Sequence, residues 1–191
     1  FIRDHQAVPG FKGYGGFPGT LCISVNDQVV HGIPGKQTLL EGDIVSIDCG
    51  VLKNGFYGDS AYTFAIGQIS EAVAALMEHT KASLYKGIEQ AVDGNRVGDI
   101  GFAIQSVAQA EGYSIVREYC GHGIGKVFHD EPQVLHYGQK GTGMILEAGM
   151  TFTIEPMVNA GVWQTKLLGD KWTVVTKDHK LSAQYEHTIL V

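Results

Sequence analysis

The stretch DIVSIDCGVLKNGFYGDSAYTFAIG, residues 43–67, restricts the fold of this chain more than any other. Two runs rich in β-branched and aromatic residues flank Asn54-Gly55, the dipeptide favoured in a two-residue type I′ hairpin turn. Such a turn sets the register, because paired positions then sum to 109. Asp48 opposes Ala61 and Asp59 opposes Gly50. Side chains alternate with period two, so Asp48 and Asp59 share a face. They are diagonal neighbours, about 7–8 Å apart at the backbone. Two acids aimed at one point repel unless something positive lies between them. The plainer alternative is one solvated sheet face, and a one-residue slip in register would undo the geometry.

The remaining pattern places this hairpin in an α+β chain. LCISVNDQVVHGIP alternates and then turns at Pro34, which reads as one strand and a loop with His31 at the junction. Ser70 can cap a helix over 71–92 whose apolar side repeats as Val73, Leu76, Met77, Leu84 and Ile88. Asp93-Gly94-Asn95 breaks it. A second helix over 97–111 presents Val97, Ile100, Ile104 and Val107 and stops at Gly112. YSIVREY, GMTFTIEPMV, KWTVVTK and SAQYEHTILV read as further strands. Strands, two helices, then strands suggest helices on one face of an antiparallel sheet.

Composition narrows what such a chain can do. Its 191 residues suit one domain, 1–191, able to bury about 70% of its unfolded surface without disulfides. The net charge of −6 and the lack of a Lys/Arg cluster argue against nucleic-acid and anionic-membrane partners. Cys22, Cys49 and Cys120 are odd in number and irregularly spaced, which points to reduced thiols and a cytoplasmic setting. No apolar run approaches the roughly 20 residues of a membrane helix. The chain starts at Phe1 rather than Met, FIRDHQAV reads like the tail of a helix, and HTILV stops inside a strand. The expectation is an ordered domain truncated at both ends.

Chemistry concentrates in a few places. EYCGHGIGKVFHDEPQVLHY, residues 118–137, crowds histidines and glycines into a stretch with neither helical nor strand period. Glu155 follows TFTI, and Glu186 sits among Tyr185, Thr188 and Ile189. Acids in such apolar company are seldom buried unless paired or metal-bound. His187, beside Glu186, points to the opposite face. Four carboxylates with His122 form a hard, mostly oxygen ligand set. It suits a pair of divalent ions better than a closed structural zinc site. Such a pair acts as Lewis acid and generates hydroxide near neutral pH. No Ser-His-Asp arrangement is present, Cys120 reads as a small buried residue rather than a nucleophile, and GHGIGK lacks the spacing of a phosphate loop.

Taken together, HGIP at 31–34, SID at 46–48, GD at 58–59, CGHGIGKVFHDEPQVLHY at 120–137, TIEPMV at 153–158 and AQYEHT at 183–188 resemble the type I methionine aminopeptidases of bacteria. The likeness runs along the whole chain. It implies the pita-bread fold, a curved antiparallel sheet flanked by helices in two pseudo-symmetric halves, here without the family's N-terminal helices. It implies that Asp48, Asp59, His122, Glu155 and Glu186 hold two divalent ions (Co, Mn, Fe, Zn or Ni), with Asp59 and Glu186 bridging. It implies that His31 and His129 touch substrate near the scissile amide. Tyr14, Phe17, Cys22, Phe128 and Trp172 would form the methionine pocket, with Phe17 where the family often has tyrosine. The glycines would let backbone approach the metals closely. The activity implied is removal of initiator methionine from peptides and nascent chains at the ribosome when the second residue is small. Glu155 would shuttle the proton, and the full-length parent would be a monomer. The alternatives are an Xaa-Pro aminopeptidase or a non-catalytic binding protein on the same fold.

Overall fold

In the computed structural model, which describes residues 1–191, Asn54 and Gly55 lie in the left-handed region with φ of 53° and 84°. A type I′ turn demands both values, and the register follows. Lys53 pairs with Phe56, Val51 with Gly58, Asp48 with Ala61 and Ile44 with Ala65. The ladder does not run on as one ribbon. It is interrupted on one side at Cys49 and Gly50 and on the other at Asp59 and Ser60. The tip, Val51–Lys53 with Phe56–Gly58, joins Val8–Pro9. The stem, Ile44–Asp48 with Ala61–Ala65, joins Cys22–Val25.

All strand pairings are antiparallel, in small sheets of three or four strands. Helix α1 spans Glu71–Ile88, and Ser70 Oγ accepts the Val73 N–H at 3.4 Å. Helix α2 spans Val97–Ala110, and the Asp99 carboxylate accepts the Arg96 N–H at 2.8 Å. Leu76 and Leu84 of α1 and Ile100 and Ile104 of α2 join one core with Phe152, Ile154, Val158, Ala183 and Tyr185 of the sheets. Burial of each Leu, Ile, Val or Phe in this set contributes roughly 1.5–3 kcal/mol. The helix pair thus anchors the C-terminal strands, which carry Glu155 and Glu186. No helix is long and apolar enough to cross a membrane.

Several stretches depart from the sequence pattern. LCISVNDQVV is two strands, Cys22–Val25 and Gln28–Val30. Asn26 turns the chain between them with φ 56°, its side chain bonded to the Ile44 N–H and to Asp43. FIRDHQAV holds only a 3-10 turn, Arg3–His5, before the strand Val8–Pro9. YSIVREY contributes only Ser114–Ile115, and Thr165–Leu167 is an additional strand. The histidine-glycine stretch is not all loop: Gly121–Gly123 is a strand between Asp130–Val134 and Thr151–Ile154. The two long C-terminal runs are each broken once, at Glu155-Pro156 and at Tyr185-Glu186. Pro156 has no N–H to continue a ladder.

Candidate metal centre

The four acids sit where strands stop. Asp48 ends Ile44–Asp48, Asp59 follows Phe56–Gly58, Glu155 follows Thr151–Ile154, and Glu186 precedes His187–Leu190. At such interruptions the backbone leaves the pleat, and a side chain is freed from strict alternation. The breaks converge. Asp59, His122 and Glu186 each present a ligand-type atom within 4.8 Å of the others. His122 Nε2 lies 3.6 Å from Glu155 Oε1 and 4.0 Å from Asp59 Oδ2. Asp48 stands close enough to feel the charges of Asp59 and Glu155.

Hydrogen bonds hold these groups in place. Thr188 Oγ1 accepts the Asp59 N–H at 3.0 Å and donates to the Asp59 carbonyl at 2.8 Å. The Glu186 N–H donates to the Ala61 carbonyl at 2.9 Å, and Ser60 Oγ donates to the Glu186 carbonyl at 3.1 Å. Thr153 Oγ1 accepts the His122 N–H at 3.0 Å and donates to Glu155 Oε1 at 2.8 Å. His122 Nδ1 lies 3.0 Å from the Gly123 carbonyl; donation there leaves Nε2 as a free lone pair facing the acids. His136, buried and absent from the sequence-based set, accepts the Glu155 N–H on Nε2 at 3.1 Å. Gly121 and Gly123 serve strand packing rather than close approach to a metal. A Cβ on Gly121 would lie 2.3 Å from the Thr153 carbonyl oxygen, and one on Gly123 would lie 2.1 Å from that of Glu131.

The charges are unbalanced. Burial, then the neighbouring carboxylates, pushes Asp48 and Glu186 well above the usual range. Burial raises Asp59 to about 6 and Glu155 to about 8. Burial also lowers His122 and His31, and takes His129 down to about 4. The imidazoles are therefore neutral near pH 7 and offer the acids no compensating charge. Asp48 Oδ1 and Glu186 Oε1 are buried without a hydrogen-bond partner. Hard oxygen donors, a neutral imidazole and orphaned carboxylate oxygens fit divalent cations, which favour the ionised acids.

A cavity of ≈ 240 Å³ opens onto this cluster, and Asp48, Asp59, His122, Glu155 and Glu186 all line it. Tyr14, Phe17, Cys22 and Trp172 form an apolar wall, in which the Phe17 and Trp172 rings meet edge-to-face at 5.2 Å. Phe128 does not line the cavity. It backs the wall, stacked between Phe11 at 5.4 Å and Tyr57 at 4.6 Å. His31 lines the cavity with φ 59°, its ring edge-to-face with Tyr119 at 5.5 Å. His129 stands at the mouth, Nδ1 3.0 Å from the Tyr14 hydroxyl and its ring 4.1 Å from that of His122. Phe11, Val30, Tyr119 and Cys120 also line the cavity. The sequence carried no signal for Phe11, and Cys120 is half-buried against the cavity rather than inside the core.

An antiparallel scaffold that gathers four carboxylates, those of Asp59 and Glu186 on buried residues and those of Asp48 and Glu155 on half-buried ones, and a neutral imidazole beneath an apolar-walled cavity is that of a pita-bread metallopeptidase. The chain belongs to metallopeptidase family M24, which matches residues 2–191. It is 52% identical over 192 residues to the methionine aminopeptidase of Clostridium acetobutylicum, covering 100% of this chain and 77% of that protein. The crystal structure of methionine aminopeptidase from Rickettsia prowazekii superposes with a TM-score of 0.97 at 49% identity, over 100% of this chain and 77% of the other. Prolidase from Pyrococcus furiosus, at 22% identity and a TM-score of 0.69, covers 90% of this chain and 45% of its own; this likeness is one of fold.

Proposed function

We propose that this chain hydrolyses the first peptide bond of polypeptides that begin with methionine, releasing that methionine when the second residue is small. The observation that carries this reading is the joining of the acid cluster to the apolar-walled cavity in one pocket. Its support from comparison is the methionine aminopeptidase of Clostridium acetobutylicum, alike along this whole chain. Asp48, Asp59, His122, Glu155 and Glu186 would hold two divalent ions, with Asp59 and Glu186 shared; Co, Mn, Fe, Zn and Ni all suit the donors. When bound, paired ions supply Lewis acidity and lower the pKa of water to near neutrality.

The remaining chemistry belongs to the side chains. Tyr14, Phe17, Cys22 and Trp172 receive the methionine side chain, whose flexible thioether packs favourably on aromatic rings. Phe11 and Phe128 stiffen that wall. His129 is neutral, and its Nδ1 lies 3.0 Å from the Tyr14 hydroxyl; the oxyanion role requires that hydroxyl to donate to Nδ1, so that the ring proton on Nε2 faces the developing charge. His31 hydrogen-bonds near the leaving nitrogen. Glu155 takes the proton of the attacking water and returns it to the departing amine. The substrates are methionyl peptides and nascent chains at the ribosome, the setting is the cytoplasm, and the protein is a monomer.

Release of methionine from Met-Gly, Met-Ala and Met-Ser peptides, with and without added Co or Mn, tests the proposal. Cleavage should require metal and should be far faster than for Met-Leu or Met-Lys. Equal rates across the set, or a preference for Xaa-Pro peptides, would overturn it.

A further inference from the structure

We propose that His136 is a positioning residue for Glu155: its Nε2 takes the backbone N–H that the broken strand leaves unpaired, and so aims the Glu155 carboxylate into the cavity. The inference rests on the reading of Glu155 as an acid of the metal centre.

Glu155 occupies an awkward place in the sheet. The ladder between Thr151–Ile154 and His187–Leu190 ends at Ile154 opposite His187. The next ladder begins at Met157 opposite Gln184. Between them lie Glu155 and Pro156, and the proline has no N–H. The Glu155 N–H is therefore a half-buried donor at a point where no strand carbonyl faces it. His136, just beyond Asp130–Val134, supplies the acceptor at 3.1 Å. From the other side Thr153 Oγ1 grips Oε1 of the same residue at 2.8 Å. One bond fixes the backbone and the other fixes the carboxylate. The result is an Oε1 held 3.6 Å from His122 Nε2.

The ring itself argues for use. An Nε2 that accepts must be unprotonated, so the ring proton lies on Nδ1. Nδ1 is buried and has no partner. A fully buried imidazole with an orphaned N–H costs stability that an apolar side chain would not. His136 makes no other polar contact that would justify it. What the ring provides is an acceptor at the reach of Nε2.

The test uses the full chain, metal-free, titrated with Co(II) and followed by calorimetry and by visible absorption. His136→Gln places an amide oxygen near the Nε2 position, whereas the shorter His136→Asn cannot reach the Glu155 N–H. His136→Asn should weaken Co(II) binding by about 10–100-fold and alter the Co(II) band, the usual scale for groups that orient metal ligands. Its kcat should fall while KM for Met-Ala peptides stays near that of the parent. His136→Gln should recover most of the affinity and the spectrum. Should His136→Asn fail to fold, ring 15N shifts of the parent protein decide: a proton on Nδ1 is expected, and a proton on Nε2 would overturn the proposal. Two variants that bind Co(II) like the parent, or that lose it equally, would overturn it as well. Glu155→Ala is the control. If it binds Co(II) unchanged, the metal-site reading of Glu155 fails, whatever His136 does.

Discussion

Without a cation among them, Asp48, Asp59, Glu155 and Glu186 face one another, and the cost of that arrangement depends on pH. Burial lifts Glu155 from its ordinary 4.5 to about 8. An acid raised in this way holds its proton more tightly when folded than when unfolded. Between the two values the unfolded chain has released a proton that the folded chain retains, so stability falls as pH rises. The contribution is complete below pH 4.5 and gone above about 8. The buried histidines work in the opposite sense. Burial lowers His136 from 6.5 to about 3 and His129 to about 4, so their neutral forms add stability as pH rises toward 6.5 and nothing beyond it. The two trends offset one another in the acid range. From pH 6.5 to 8 those histidines contribute no slope, while Glu155 is still titrating. Over that interval Glu155 alone removes about 2 kcal/mol, at about 1.4 kcal/mol per pH unit. For a chain of this size that is roughly 4–8 °C in Tm.

Bound cations reverse the sign of the environment, since opposite charge favours the ionised carboxylates. The metal-loaded protein should therefore melt at nearly the same temperature across this interval, and loading at pH 6.5 should release protons. Scanning calorimetry of metal-free and Mn-loaded protein at pH 6.5 and pH 8 reads the first effect. Calorimetric titration in buffers of different ionisation enthalpy reads the second. Glu155→Gln should remove the Glu155 share of the metal-free slope. A metal-free protein whose Tm is constant or rises over this interval would refute the reasoning, because the buried acids would then already be ionised without a cation.

The site makes further demands. His129→Ala should lower kcat by roughly 10²–10³, the size of a lost oxyanion donor, with metal content by atomic absorption unchanged; loss of both ions would show that His129 is a ligand. On the proposed ligand set, an ion held privately by His122 and Glu155 should load before one held by Asp48, because imidazole suits later first-row metals. Calorimetry with Co should then lose the tight phase in His122→Ala and the weak phase in Asp48→Ala, and two indistinguishable phases in the parent would contradict the assignment. Gly121→Ala drives a methyl into the Thr153 carbonyl, with 2.3 Å of separation available. It should cost about 1–3 kcal/mol by denaturant melt and weaken Co binding. Gly125→Ala, whose nearest contact would be 3.8 Å away, should melt like the parent.

What the sequence alone determined lies within a few residues of itself. Asn54-Gly55 set the hairpin register because the left-handed φ it needs suits those two residues and no partner elsewhere is required. Ser70 and the apolar spacing beyond it marked α1, and the spacing of Val97, Ile100 and Ile104 marked α2, for the same local reason. The residue types of the centre were legible too, since Glu155 and Glu186 are out of place in apolar strands. What only the tertiary structure decided is where those strands break and what meets at the breaks. The Glu186 N–H turns to Ala61, and Thr188 clamps Asp59 across 129 residues of chain. Gly121 proved to be a packing contact with Thr153, and His136 an acceptor for Glu155. Each of these pairings joins segments remote in sequence. Its strength depends on close packing and on satisfying buried N–H groups, and neither quantity exists until the sheets have assembled.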